Sequence, residues 1–225
     1  MIKICVSGSK GKMGSRIIAL AKEDERFKVT GEFDLGQEAG PFIKGCDCLV
    51  EFTSPRATME HLSLCEKYGK NIVIGTTGLS GPDKERIDKA SGKIAIVFSP
   101  NMSVGVNLLF KIAGDAARVL GAEYRVEISE AHHIHKKDSP SGTAKELARI
   151  IKASGKVAGI PIKSIREGEI VGDHTVTFES AYDRIQISHS AKTRDILAKG
   201  ALLAALFVAE KSRGLYSMKE VLKVD

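Results

Sequence analysis

Short apolar runs alternate with polar, helix-patterned stretches through the first hundred residues. The runs Ile2–Ser7, Val29–Phe33, Cys48–Phe52, Ile72–Gly75 and Ile94–Phe98 are nearly continuous in apolar residues and bounded by glycine or charge. That is the pattern of parallel strands buried on both faces. Between them, helical periodicity predicts Lys12–Lys22, Arg56–Tyr68 and Pro82–Ala90. The alternation predicts an α/β fold with an open, doubly wound parallel sheet.

After Asn101 the pattern changes. A long helix, Val104–Leu120, leads into a strand-like run, Glu123–Ala131, and a second helix is predicted at Gly142–Ser154. Alternating stretches follow at Ile162–Arg166, Glu169–Val171, Thr175–Glu179 and Arg184–Ser188. They predict a second α+β domain with a mixed, largely antiparallel sheet. A last helix, Arg194–Lys211, carries Ala198, Ala201, Ala204 and Ala205, small enough to pack closely back on the first domain. The expected division is residues 1–103 with 192–225, a dinucleotide-binding domain, and residues 104–191, a domain for substrate binding and oligomerisation.

Composition narrows the classes. With 43% hydrophobic and 28% charged residues the chain is an ordinary globular protein. Its richest apolar run, Ala201–Val208, is far too short to cross a bilayer. The N-terminal residues lack the shape of a signal peptide, so a cytoplasmic location is expected. Cys5, Cys46, Cys48 and Cys65 form no C-x₂-C pair and are expected to pack in the core of a protein kept reduced. The net charge of +6 is spread along the chain without an aromatic-interleaved basic stripe, which excludes nucleic acid as the expected partner. It suits an enzyme whose cofactor and small-molecule substrate are both anions.

The first predicted strand runs into Gly8-Ser9-Lys10-Gly11-Lys12-Met13-Gly14 and then a helix. A dinucleotide pyrophosphate needs a tight turn, backbone free of side chains and the N–H groups of a helix N-terminus. Gly8 suits the turn, Gly11 the backbone approach and Gly14 the packing of helix on strand. The spacing G-x-x-G-x-x-G also occurs in ordinary strand-to-helix turns, so context must decide. Roughly 20 residues on, the second strand ends at Asp34, where an acid that binds a ribose hydroxyl belongs. The place after it is Leu35 rather than an arginine selecting a 2′-phosphate, so NADH is favoured over NADPH, although Lys10 and Lys12 suit either. Two further loops, Gly75-Thr76-Thr77-Gly78 and Ser99-Pro100-Asn101-Met102, fall at predicted strand ends, where open α/β sheets bind ligands. Glu51-Phe52-Thr53-Ser54-Pro55 is a third, with Phe52 a candidate to pack on a cofactor ring. Together these features are Rossmann-like.

The densest chemistry lies in Glu130-Ala131-His132-His133-Ile134-His135-Lys136-Lys137-Asp138-Ser139-Pro140-Ser141-Gly142-Thr143, which holds three of the six histidines. Ser141 reads as a helix N-cap, with Gly142 and Thr143 presenting amides to a carboxylate. A metal site would use His133 and His135, which share a face if this stretch is a strand, but no third ligand is evident, and no metal is expected. An exposed polar loop is the plain alternative. A cationic pocket for an anionic substrate, with histidine and lysine as proton donors, is the third reading.

In these residues the chain resembles the dihydrodipicolinate reductases of bacterial lysine and diaminopimelate synthesis. EAHHIHKKDSPSGTA is close to that family's E-A-H-H-x-x-K-x-D-A-P-S-G-T-A, with Ser139 in place of alanine, and GSKGKMG, EFTSP, VIGTTG, NMSVGVN, VGDHTV and ISHSAKTR are also similar to its motifs. The resemblance implies reduction of a cyclic C=C–C=N system by hydride from NADH or NADPH, with loss of the 4-hydroxyl as water. It implies a catalytic histidine at His132 and a proton-donating lysine at Lys136. Substrate carboxylates would meet His133, Gly142 and Thr143. Cofactor contacts would fall on Gly8, Ser9, Lys10, Gly11, Lys12, Met13, Asp34, Gly75, Thr76, Thr77, Ser99, Pro100, Asn101 and Met102. It also implies a homotetramer joined through the second domain's sheet. Departures are the short stretch between Asp34 and Glu51 and Ser54 where many members carry arginine. The competing functions are a catalytically silent dinucleotide sensor of the same fold and another two-domain Rossmann reductase. Semialdehyde dehydrogenases need a cysteine nucleophile, and no cysteine here falls in an expected active-site loop.

Overall fold

The computed structural model describes residues 1–155 and 159–224. Asp225, at the end of the expected first domain, and residues 156–158, inside the expected second, lie outside the described residues. The chain divides into two compact units, one made of Met1–Val104 with Asp195–Lys223 and one built on Gly105–Arg194.

The first unit holds β1 (Ile2–Ser7), α1 (Lys12–Lys22), β2 (Phe27–Phe33), α2 (Ala39–Lys44), β3 (Cys48–Glu51), α3 (Pro55–Tyr68), β4 (Asn71–Ile74), α4 (Gly81–Ser91) and β5 (Ala95–Phe98). It ends with α7 (Asp195–Ala209), β10 (Gly214–Tyr216) and α8 (Met218–Leu222). Its six strands are all parallel, in the order β10-β5-β4-β3-β1-β2. The strands are apolar at nearly every position because both faces are covered. Ile4, Val6, Cys48, Val50, Val73 and Val97 pack with α1 and α7. The intervening Cys5, Leu49, Ile72, Ile74 and Ile96 pack with α2, α3 and α4. The alanines of α7 bring it close, and Gly200 allows closest approach, since a Cβ there would lie 1.7 Å from the Met102 carbonyl oxygen.

The second unit holds most of α5 (Val104–Leu120), then β6 (Arg125–His132), α6 (Gly142–Ser154), β7 (Ile162–Arg166), β8 (Asp173–Glu179) and β9 (Arg184–Ser190). Its sheet runs β7-β6-β8-β9, with one parallel pair and two antiparallel pairs. Alternate residues of β6 and β8 (Val126, Ile128, Val176, Phe178) form a core with Leu109, Phe110 and Ala113 of α5 and Leu147 and Ile151 of α6. The same alternation continues to Glu130, His132 and His174, so one buried face turns from apolar to polar toward the end of β6.

Three expectations differ from the structure. Glu169–Val171 is not a strand: Gly168 turns the chain at φ +50°, and the His133 and Ile134 amides donate to the Ile170 and Gly168 carbonyls. His133 and His135 are not on a strand either, because β6 ends at His132 and the next residues form a turn. Finally, α2, β10 and α8 were not expected. The glycine and proline of Ala39-Gly40-Pro41 disguise α2, yet both sit in its first turn, where amides have no partner within the helix to lose. Among the described residues no helix is long and apolar enough to cross a membrane.

Candidate active site

In the first unit, strand register sets the site. Ser7 is aligned with Phe33 on one side and Glu51 on the other, Glu51 with Ile74, and Ile74 with Phe98. The five loops that follow these residues therefore leave one edge of the sheet side by side. This is the carboxyl edge, where the order of the strands reverses between β1 and β3 and ligands bind in such sheets.

The glycines on this edge are required for separate reasons. Gly8 turns the chain at φ +65°, and a Cβ there would stand 3.0 Å from the Phe52 carbonyl oxygen. Gly11 caps α1 without a side-chain hydrogen bond, and no acid occupies the first turn, so the helix end presents amides and a positive dipole. A Cβ on Gly14 would lie 2.1 Å from the Gly8 carbonyl oxygen. At Gly75 a Cβ would meet the Phe52 ring at 2.2 Å, so the glycine lets that ring lie against the backbone.

Asp34 is pinned at the loop's flank, its carboxylate accepting from the Lys10 and Leu35 amides at 2.8 Å each. Those amides, Lys10 first, hold its pKa below the usual carboxylate range. A cavity of about 290 Å³ opens beside it, lined among others by Gly8, Phe33, Asp34, Gln37, Ser54 and His61. Ser54, at the position where an arginine is common by resemblance, is the N-cap of α3. Ser9 is tied by its amide to the Phe33 carbonyl at 3.2 Å, Met13 packs against the core, and Lys10 and Lys12 are exposed.

The remaining loop residues are not equally placed. The Thr76 hydroxyl turns inward, accepting from the Thr53 amide (3.1 Å) and the Thr58 hydroxyl (2.9 Å), whereas Thr77 is exposed. Ser99 donates to the Asn101 carbonyl at 2.8 Å, and Pro100 is exposed. Met102 is 1% exposed in the core, so only its backbone is available to a ligand.

In the second unit the site is made of charge. Glu130, fully buried, accepts a forked pair of bonds from Arg166 at 3.0 and 2.9 Å and another from the Ser141 amide at 3.3 Å, and it is hydrogen-bonded to His132 Nδ1. Register explains the meeting, for His132 pairs with Arg166 across β6 and β7, and Glu130 with His174 across β6 and β8. Burial alone would raise Glu130, but the hydrogen bonds from Arg166 and His132 outweigh it and hold the carboxyl at about 2. Burial lowers His132 and takes His174 down to about 4. At neutral pH both rings are therefore neutral. Because a carboxylate only accepts, His132 carries its proton on Nδ1, leaving Nε2 an acceptor beside Gly172, where a Cβ would lie 3.1 Å away.

His132 and His174 meet edge to face at 5.1 Å, and Ser141 Oγ lies 3.3 Å from His174 Nε2 while also capping α6. Lys136, on the loop beyond β6, pairs with Asp138 at 2.7 Å. His133 has a buried Nδ1 with no partner in the described structure, and Gly142 is exposed at the start of α6 beside half-buried Thr143. His135 and Lys137 lie at the surface.

Glu130, His132 and His174 place three ligand atoms within 4.8 Å of one another, a set able to hold a metal. The positive charge facing Glu130 is already supplied by Arg166, whose fork occupies both carboxylate oxygens. Glu130, Arg166 and His174 were not singled out from the sequence. The signal available for Glu130 was its i, i+2 alternation with His132 on a strand; the other two depend on register.

Comparison with known proteins matches the family models described as Dihydrodipicolinate reductase, N-terminus over residues 2–102 and Dihydrodipicolinate reductase, C-terminus over residues 105–222. The chain is 37% identical to a 4-hydroxy-tetrahydrodipicolinate reductase of Citrifermentans bemidjiense over 99% of both chains. It is 40% identical to one of Nitrosomonas eutropha over 99% of this chain and 98% of that one. These alignments, of 264 and 263 positions, exceed the length of the chain, so the relatives carry segments absent here. In fold it is similar to a dipicolinate-bound dihydrodipicolinate reductase from Paenisporosarcina sp. TG-14, with a TM-score of 0.85 and 22% identity over 98% of this chain and 99% of that one.

Proposed function

The chain belongs to the dihydrodipicolinate reductase family, and from that premise we propose that it reduces 4-hydroxy-tetrahydrodipicolinate to tetrahydrodipicolinate with NADH or NADPH. The observation that carries the chemistry is the segment running from buried His132 through Lys136 to the start of α6.

A nicotinamide dinucleotide fits the first unit's edge, because the turn at Gly8 and the close packing at Gly14 bring the uncapped, acid-free start of α1 to the end of β1, where its amides can meet a pyrophosphate. When bound, the reduced nicotinamide supplies a hydride. The Lys136 ammonium, held by Asp138, supplies the proton that completes the reduction. His132 is not the proton source at neutral pH, since burial keeps its ring neutral; with Nδ1 committed to Glu130 it offers Nε2 as a fixed acceptor. Arg166 is committed to Glu130 and is not available to substrate. The ring's carboxylates fall to His133 and to the amides and dipole at Gly142-Thr143.

NADH is the favoured cofactor, because Asp34 puts a carboxylate beside the cavity where a 2′-phosphate would have to sit. Asp34→Ala is expected to move the NADPH:NADH ratio of kcat/KM toward NADPH by about tenfold. An unchanged ratio would remove Asp34 as the selector. A homotetramer joined through the second unit's sheet is supported by β9, an edge strand with exposed side chains; light scattering on the purified chain tests it. A cytoplasmic setting accords with four buried, free cysteines.

The decisive assay generates the unstable hydroxy-tetrahydrodipicolinate in situ and follows NADH and NADPH oxidation side by side. Substrate-dependent oxidation is expected. Silence with both, while dinucleotide still binds, would leave the chain a sensor.

A further inference from the structure

Glu51 is the only acid on the apolar strand Cys48–Glu51, and it is fully buried. Its carboxylate has four side-chain hydrogen-bond partners, of which Thr58 divides its one hydroxyl proton between Glu51 and Thr76. Ser7 Oγ (2.5 Å) and His61 Nδ1 (2.6 Å) meet Oε2, and Thr58 Oγ1 (3.3 Å) and Thr53 Oγ1 meet Oε1. The partners come from β1, the loop after β3 and two positions of α3, and between them they reach four loops of the dinucleotide edge. Ser7 immediately precedes Gly8. Thr53 follows β3 beside Phe52. Thr58 passes a second contact to the Thr76 hydroxyl at 2.9 Å, in the loop after β4. His61 stands edge-on to Phe33, the residue before Asp34, at 5.1 Å and 87°, and lines the cavity next to Asp34.

We propose that Glu51 is a positioning residue for dinucleotide binding: one buried carboxylate that holds the Gly8, Phe52, Thr76 and Asp34 loops in a common arrangement and fixes the ring of His61 at the cavity wall. The proposal rests on the reading that this edge binds NADH or NADPH. A buried carboxylate is costly to keep, and an apolar side chain would fill the same core volume. What it adds here is four acceptor positions at the junction of the loops. Since the carboxylate cannot donate, His61 bears a proton on the Nδ1 that faces it.

Glu51→Gln keeps the shape but turns one acceptor oxygen into an NH2 donor, so the partners on that side must reorient to accept and the negative charge is lost. The test measures NADH binding to the full chain by calorimetry, with steady-state kinetics on the same preparation. The Kd and KM for NADH are expected to rise about tenfold, with kcat and the KM for the dicarboxylate substrate moving less than about twofold. Glu51→Asp, which keeps the charge on a shorter stem, is expected to recover part of the loss. A folded Glu51→Gln with unchanged Kd for NADH overturns the proposal. So does a uniform loss of every kinetic constant alongside stability, the mark of a merely structural role. Should Glu51→Gln fail to fold, His61→Gln and Thr58→Val each remove one donor and keep the carboxylate. Weakened NADH binding in both supports the proposal, and unchanged binding in both overturns it. Failure of the unaltered chain to bind either dinucleotide would instead overturn the functional reading itself.

Discussion

At the carboxyl edge of the parallel sheet, Gly8, Gly11, Gly14 and Gly75 act by what they lack, whereas at the end of β6 Glu130, His132, Arg166 and His174 act through charge. The first arrangement costs little to assemble once the strands are paired, because absent side chains need no partners. The second depends on every member: a buried carboxylate is tolerable only while its guanidinium and imidazole partners stay in place. The contrast fits the two tasks. A pyrophosphate is held well by amides and a helix dipole, while proton transfer to a ring needs titratable groups with controlled protonation.

The contrast breaks most sharply at Glu130. Glu130→Ala leaves Arg166 without its partner and is expected to destabilise the second unit by about 3–5 kcal/mol. Hydrogen exchange resolved by segment should show β6 to β9 opening while β1 to β5 keep their protection. A loss below about 1 kcal/mol would mean the cluster is not a unit.

Acid offers the next test. His174 falls from an ordinary 6.5 to about 4 in the folded state, so the unfolded chain takes up its proton first. The neutral ring's contribution is complete above pH 6.5 and is lost as pH falls toward 4, by about 3 kcal/mol in total. Glu130, depressed from 4.5 to about 2, adds a further loss between those values. Urea unfolding from pH 8 to pH 4 should show the second unit failing first. His174→Asn should flatten the upper part of that profile, and an unaltered profile would refute the assignment.

A smaller effect is expected from Gly14→Ala. Its Cβ would stand 2.1 Å from the Gly8 carbonyl oxygen, so the loop and α1 must separate. The expected cost is about 1–3 kcal/mol, with NADH affinity down about tenfold and exchange in the second unit unchanged. Full NADH affinity in this variant would show that the glycine loop is not the binding element.

The two regions were also unequally legible. Glycine positions and strand ends are local features, so the turn at Gly8, the helix beginning at Lys12 and the acid at Asp34 could be read directly from residue order. His132 and Lys136 were likewise visible, being four residues apart in one segment. Arg166 and His174 were not, because they reach Glu130 only through pairing of β6 with β7 and β8. Glu51 was visible only as part of a strand end; its four partners come from β1, the β3–α3 loop and α3. The misread strand at Glu169–Val171 has the same origin, since its amide partners lie in the loop after β6 rather than in a sheet. The lowered His132 pKa follows from burial, whereas from the sequence this histidine is expected to titrate near neutral pH.

The central claim is that binding the dinucleotide and delivering the proton belong to different units, and Lys136→Ala tests it most directly. Measured in the coupled assay with parallel NADH titration, the variant should lose roughly 10²-fold or more in kcat while its Kd for NADH barely changes. Near-normal turnover, or a loss of NADH affinity as large as the loss of turnover, would contradict the account.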